Sequence, residues 1–174
     1  WQQLQRWWAL AIAVYALDWI TKQSVEANLH YGREIPLLPF FDLTLRYNTG
    51  AAFSFLAEAG GWQRWFFSLI AIVVVVGISW RLSKIGHTHK LEALSLTLIM
   101  AGAIGNLHDR LAYGHVIDFI QVHWQSTWYF PAFNIADSAI TIGVVLMLVE
   151  GLFQKHPKGK QNDDERTKPY HLAL

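Results

Sequence analysis

WFFSLIAIVVVVGISW, residues 65–80, carries no ionisable side chain and is bracketed by Arg64 and Arg81. A bilayer core needs ~20 residues of helix, and this run reaches that once Trp62 is counted at the interface. Three more apolar stretches flank it. The first runs from about Trp7 to Ala27 and is interrupted by Asp18, Lys22 and Glu26. The next, Ala93 to His108, lies between Glu92 and Asp109, and the last, Ser138 to Val149, lies between Asp137 and Glu150 and extends to Phe153. These three are marginal on hydropathy alone, so an all-helical soluble core is the competing reading.

Composition and charge placement favour the membrane. Charged residues are 16%, against about 25% in an ordinary soluble domain. Hydrophobic residues are 53%, and net charge is only +1, which excludes disorder as the main state. The chain has no Cys, which excludes a disulfide scaffold, and no basic stripe of the kind that binds nucleic acid. Lys and Arg gather in the turn after the second stretch (Arg81, Lys84, Lys90) and after the fourth (Lys155, Lys158, Lys160). The segment from Leu111 to Phe133 has neither, and is rich in Trp, Tyr and Phe. The positive-inside rule therefore puts both termini and the 81–90 turn in the cytoplasm and the other two connections outside. The first stretch is too long, and too charged at its far end, for a cleaved signal peptide.

The expected fold is a mainly α membrane protein with four transmembrane helices and a small outer β-sheet between helices 1 and 2. The near-alternation of Phe41-Asp42-Leu43-Thr44-Leu45-Arg46-Tyr47 points to that sheet, with Asn48-Thr49-Gly50 as the following turn. Residues 1–154 form the membrane domain. Residues 155–174 form a polar cytoplasmic tail, expected to be disordered.

Ionisable groups in or beside apolar spans are costly and need a reason. Asp118 lies among apolar neighbours on the outer segment, and Asp137 at the mouth of the fourth stretch. Asn134 suits an N-cap, with Asp137 in the first helical turn where the dipole favours a carboxylate. Two such carboxylates within a few ångströms share a proton, and act on water and a carbonyl as an aspartic protease does. By spacing alone, Asp137 is equally a helix-end carboxylate and Asp118 an interfacial acid. Asn106 and Arg110 share one helix face, and Ala101 and Gly105 form a small-x-x-x-small pattern that admits a neighbouring backbone. Arg110 either snorkels to headgroups or holds the site. Asp18 and Lys22 are spaced for an intrahelical ion pair. His115, Asp118 and His123 lie on one segment, but without H-E-x-x-H or Cys no metal is expected. A proton or ion transporter using Asp118, Asp137 and Arg110 as a relay is the alternative from another class.

Five motifs stand in order along the chain: Asp18-x-x-Thr21-Lys22, Asn48-x-Gly50-Ala51-Ala52-Phe53-Ser54, Gly105-Asn106-x-x-Asp109-Arg110, Val116-x-Asp118-Phe119 and Phe133-Asn134-x-Ala136-Asp137-Ser138. Together they resemble the bacterial lipoprotein signal peptidases (signal peptidase II) over about Trp7 to Phe153. The resemblance implies an intramembrane aspartyl endopeptidase of the bacterial inner membrane, with its site near the periplasmic face. It implies cleavage of diacylglyceryl-modified prolipoproteins just before the lipobox Cys. Asp118 and Asp137 match the catalytic pair. Asn106, Arg110 and Asn134 match residues that shape the site and position substrate, and Asp18, Lys22, Asn48, Gly102 and Asp109 match supporting positions. The outer strands match a periplasmic sheet that cradles substrate. No cofactor or metal is implied. The implied partners are the lipid-modified prolipoprotein, membrane lipids and globomycin-type cyclic peptides, and a monomer suffices.

Overall fold

The computed structural model describes residues 2–50, 61–85, 89–125 and 127–153. Ala51 to Ser54 of the second motif and the tail lie outside them. Four helices and four strands follow in the order α1 (Gln2–Asn28), β1 (Glu34–Leu38), β2 (Phe41–Asn48), α2 (Trp62–Lys84), α3 (Lys90–Tyr113), β3 (Val116–Trp124), β4 (Trp128–Tyr129) and α4 (Ile135–Phe153).

The helices α2, α3 and α4 are long and apolar enough to cross a membrane. Large apolar side chains are exposed along the middle of α2 and α4, among them Leu69, Val73, Val76, Val145 and Leu148. α1 is 27 residues long but carries Asp18, Lys22 and Glu26. The helix ends follow their sequence signals. Arg81 and Lys84 fill the last turn of α2, and Arg110 that of α3, where cations suit the dipole. α3 stops at Gly114, whose φ of 83° lets its N–H reach Arg110 O at 3.1 Å.

α3 is the central helix and packs against each of the other three. An apolar cluster of Ala11, Ile78, Leu82, Met100 and Ala101 joins it to α1 and α2. Its contact with α4 depends on missing side chains. A Cβ on Gly102 would collide with Ala136 O, and one on Gly143 would come within 2.6 Å of Ser95 O. Gly105 faces Asp18 Oδ2, which a Cβ would meet at 2.6 Å. The small pair read in the sequence, Ala101 and Gly105, is thus partly shifted. Ala101 packs in the apolar cluster, while Gly102 and Gly105 make the close approaches.

The sheet is antiparallel, in the order β1-β2-β3-β4. It is not built from the α1–α2 connection alone, because its β3 and β4 come from the segment between α3 and α4. That segment hid its strand because Val116 to Phe119 are all buried, so the apolar–polar alternation of a half-exposed strand is missing. The β2–β3 register sets Arg46 opposite Asp118 and Asn48 opposite Val116. Val25 of α1 and Leu29 just after it pack with Leu45, Ile117 and Phe119, fixing the sheet over the end of α1.

Gly102→Ala should destabilise the protein by about 1–3 kcal/mol through this collision. Gly77→Ala, where a Cβ meets nothing within 4 Å, should leave stability unchanged or slightly raised. Thermal unfolding in detergent of the two variants beside the parent checks both.

Candidate active site

Asp118 is the third residue of β3 and Asp137 the third of α4. Asn134, fully buried just before α4, joins them. Its Oδ1 accepts the Asp137 N–H at 2.8 Å, the capping bond expected from the sequence. Its Nδ2 donates to Asp118 Oδ1 at 2.8 Å and also lies 3.2 Å from both Ile117 O and Asn106 Oδ1. Asn106 in turn donates through Nδ2 to Asp137 Oδ1 at 2.7 Å. Asn48 completes the set. Its Oδ1 accepts the N–H of Gly50, where φ is 87°, and its side chain hydrogen-bonds Asp118.

The two carboxylates have different surroundings. Asp118 is 2% exposed, whereas Asp137 is half-buried. Burial, and after it the charge of Asp137, pushes the Asp118 carboxyl from 3.8 up to about 7, against the hydrogen bonds of Asn48 and Asn134 and the charge of Lys22. One acid of the pair therefore holds a proton near neutrality. Asp137 lies in the first turn of α4, with the Asn106 amide donating to its Oδ1.

Behind the pair lies a buried ion cluster. Lys22 Nζ is 2.7 Å from Asp18 Oδ2 and 2.9 Å from Asp109 Oδ2. It also donates to Asn106 Oδ1 at 3.4 Å. The intrahelical pair read from the sequence is thus present, with Asp109 as a third member.

Among the described residues, cavities reach both carboxylates. One of about 730 Å³ runs over the sheet past Asp118, lined by Arg46, Gln121 and Tyr129 among others. One of about 490 Å³ lies between Phe130, Pro131 and the Asp137–Ile142 side of α4. The third, about 330 Å³, lies between α2, α3 and α4 and has Asn106, Arg110 and Asp137 on its wall. Arg110 stays inside the protein. Its Nη1 donates to Asn106 O at 3.3 Å, and its guanidinium lies 5.3 Å from the Phe67 ring centre. Gly102 acts through the α3–α4 approach. Gln121, Phe130 and Phe67 were not legible beforehand, since only their polar or aromatic character marked them. Among the described residues no cluster of His, Asp and Glu is placed to hold a metal ion. His123 pairs with Asp42 at 3.3 Å, and His115 packs on Tyr47.

The signal peptidase (SPase) II family profile matches residues 10–153. Lipoprotein signal peptidases of Pseudomonas fluorescens strain Pf-5 and Pseudomonas aeruginosa strain PAO1 are similar throughout. The first is 48% identical over 159 residues, covering 91% of this chain and 93% of the relative. The second is 47% identical over 155 residues, covering 88% and 91%. Among solved structures, a bacterial membrane enzyme determined by the in meso method at 1.9 Å superposes with a TM-score of 0.76 at 29% identity, over 87% of this chain and 95% of that one. A second such enzyme, at 2.3 Å, gives 0.74 at 30% identity over 95% of each chain. Apolar helices around a polar, cavity-lined cluster, with these matches, define a membrane-embedded peptidase. The chain belongs to the signal peptidase II family, which leaves the transporter alternative without support.

A raised carboxyl pKa makes the folded state prefer the protonated acid. That preference costs nothing below pH 3.8 and grows until pH passes about 7. Asp118→Asn should therefore raise the unfolding temperature most at pH 8, with the gain shrinking as pH falls from 7 toward 4. Thermal scans across that range check the sign.

Proposed function

We propose that this protein is an intramembrane aspartic endopeptidase that removes the signal peptide from diacylglyceryl-modified prolipoproteins just before the lipobox Cys. It belongs to the bacterial inner membrane and meets membrane lipids and a prolipoprotein there. The observation that carries the aspartic assignment is Asn134, which donates to Asp118 and accepts the backbone N–H of Asp137, so that one side chain joins the two acids, each lining a cavity.

In this reading Asp118 holds the shared proton and Asp137 is ionised. A water between them loses a proton to Asp137 as its oxygen attacks the scissile carbonyl carbon, while Asp118 gives its proton to the carbonyl oxygen. The resulting gem-diol collapses. One hydroxyl proton returns to Asp118, the C–N bond breaks, and Asp137 protonates the departing amine. The pair ends as it began, with no metal or cofactor. Arg110 and Asn106, on the wall of the cavity between α2, α3 and α4, hold the substrate backbone there. The sheet cavity takes the chain beyond the cut. Globomycin-type cyclic peptides occupy the pair in place of substrate.

α1 is a fourth span in this account. Its Asp18 and Lys22 are buried against α3 and its Ile12, Leu17 and Ile20 are exposed, so the two charges in its middle lie inside the protein beside an apolar outer face. Both termini and the 81–90 turn lie in the cytoplasm and the sheet and carboxylates toward the periplasm, a reading supported by Lys and Arg placement. Residues 1–154 form the peptidase domain and 155–174 a polar cytoplasmic tail. The enzyme works as a monomer.

Asp118→Asn and Asp137→Asn should each lower turnover of a diacylglyceryl prolipoprotein by about 10³-fold or more, with the protein still folded. For the parent enzyme, kcat/KM should fall as pH rises past about 7, where Asp118 loses its proton. A gel-shift assay with purified protein reads both, and turnover retained in either variant contradicts the assignment.

A further inference from the structure

An ammonium has three donors, and Lys22, with no exposed surface, has three acceptors: Asp18 Oδ2, Asp109 Oδ2 and Asn106 Oδ1. Each acceptor makes a second contact. Asp18 uses its other oxygen, Oδ1, to accept the N–H of Ala136 at 2.8 Å. Asp109 Oδ2 accepts the N–H of Ile117 at 3.1 Å. Asn106 donates to Asp137 Oδ1 at 2.7 Å. Ala136 immediately precedes Asp137, and Ile117 immediately precedes Asp118. The bonded backbone groups therefore belong to the two segments that carry the proposed catalytic carboxylates, one at the start of β3 and one at the start of α4.

We infer that Lys22 is the positioning residue of the carboxylate pair, a single cation on α1 that sets the spacing of Asp118 and Asp137 by holding, through Asp18 and Asp109, the backbone N–H before each. The inference rests on the aspartic reading above and adds to it the element that holds the pair in register. Lys22 touches no substrate. Asn106 gives it a third, shorter path to Asp137. The tie is also sterically enforced, because Gly105 leaves room for Asp18 only by lacking a Cβ, which would come within 2.6 Å of Asp18 Oδ2. Catalytic groups displaced by about an ångström lose much of their rate without losing substrate affinity. The effect of cutting the tie should therefore fall on kcat.

Two variants cut it with different risks to folding. Asp18→Asn keeps the side-chain volume but leaves one oxygen for two donors, so either Lys22 or the Ala136 N–H loses its partner. The double variant Lys22→Met/Asp109→Asn removes the cation and one anion together, so it keeps both the volume and the net charge of the cluster. It leaves the Asp18 carboxylate with the Ala136 N–H, so its risk to folding differs from that of Asp18→Asn. Each would be purified in detergent, checked by thermal unfolding, and assayed on a diacylglyceryl prolipoprotein beside the parent and Asp118→Asn. The expected result for folded variants is a fall in kcat of about 30-fold or more with KM within about 3-fold. A folded variant with kcat within about 2-fold of the parent overturns the positioning role, and so does a loss that appears mainly as raised KM. Asp118→Asn separates the two claims. If it still turns over, the aspartic reading fails. If it is inactive while the tie variants keep their kcat, only the role of Lys22 fails.

Discussion

A lysine ammonium with no access to solvent, held between two carboxylates, is the interaction on which the rest of this structure depends. Moving an ion out of water costs several kcal/mol even after the protein relaxes, and only near-complete hydrogen bonding offsets it. Lys22 reaches that condition through partners on two helices, Asp18 on its own and Asp109 and Asn106 on α3. α1 and α3 therefore cannot slide past one another without exposing a charge to an apolar interior. In a helix bundle surrounded by lipid the hydrophobic effect does little to fix register, because lipid tails are as apolar as the side chains. The ion cluster provides that register, and the glycine contacts of α3 with α4 bring the third partner close enough to join it.

The chemistry depends on asymmetry at the other end of this network. Asp118 is enclosed by the sheet and two asparagines, and burial drives its carboxyl toward neutrality. Asp137 lies at a helix start, half open to cavities. In the proposed mechanism Asp118 is the acid that supplies the shared proton. Asp118 sits on a strand and Asp137 at a helix start, and a cavity flanks each.

Much of this was legible in the chain. The uncharged run at 65–80 marks α2, and the Asn134–Asp137 spacing marks a capped helix start that the hydrogen bond reproduces. The i, i+4 placement of Asp18 and Lys22 gives their contact. Other features depend on tertiary neighbours. Val116 to Phe119 do not alternate, because the strand is covered on both sides, so the sheet looked smaller than it is. Asp109 reads as the polar end of an apolar stretch, and only the fold brings it to Lys22, 87 positions away in sequence by the numbers of the paired residues. Hydropathy marks α2, α3 and α4 and not α1, whose Asp18 and Lys22 pair with each other and with Asp109. Gly102 carries no motif of its own beyond its matched position. Its meaning lies in the Ala136 carbonyl that faces it.

The coupling of the two carboxylates is most directly tested by titrating the aspartate carboxyl carbons by NMR, with the Asp118 signal assigned by substitution. The account predicts that Asp118 titrates near 7. In Asp137→Asn that midpoint should fall while staying above the ordinary aspartate range, because burial is the larger cause and the charge of Asp137 the second. An Asp118 that titrates near 3.8, or one whose midpoint does not move when Asp137 is neutralised, would contradict a pair that shares one proton.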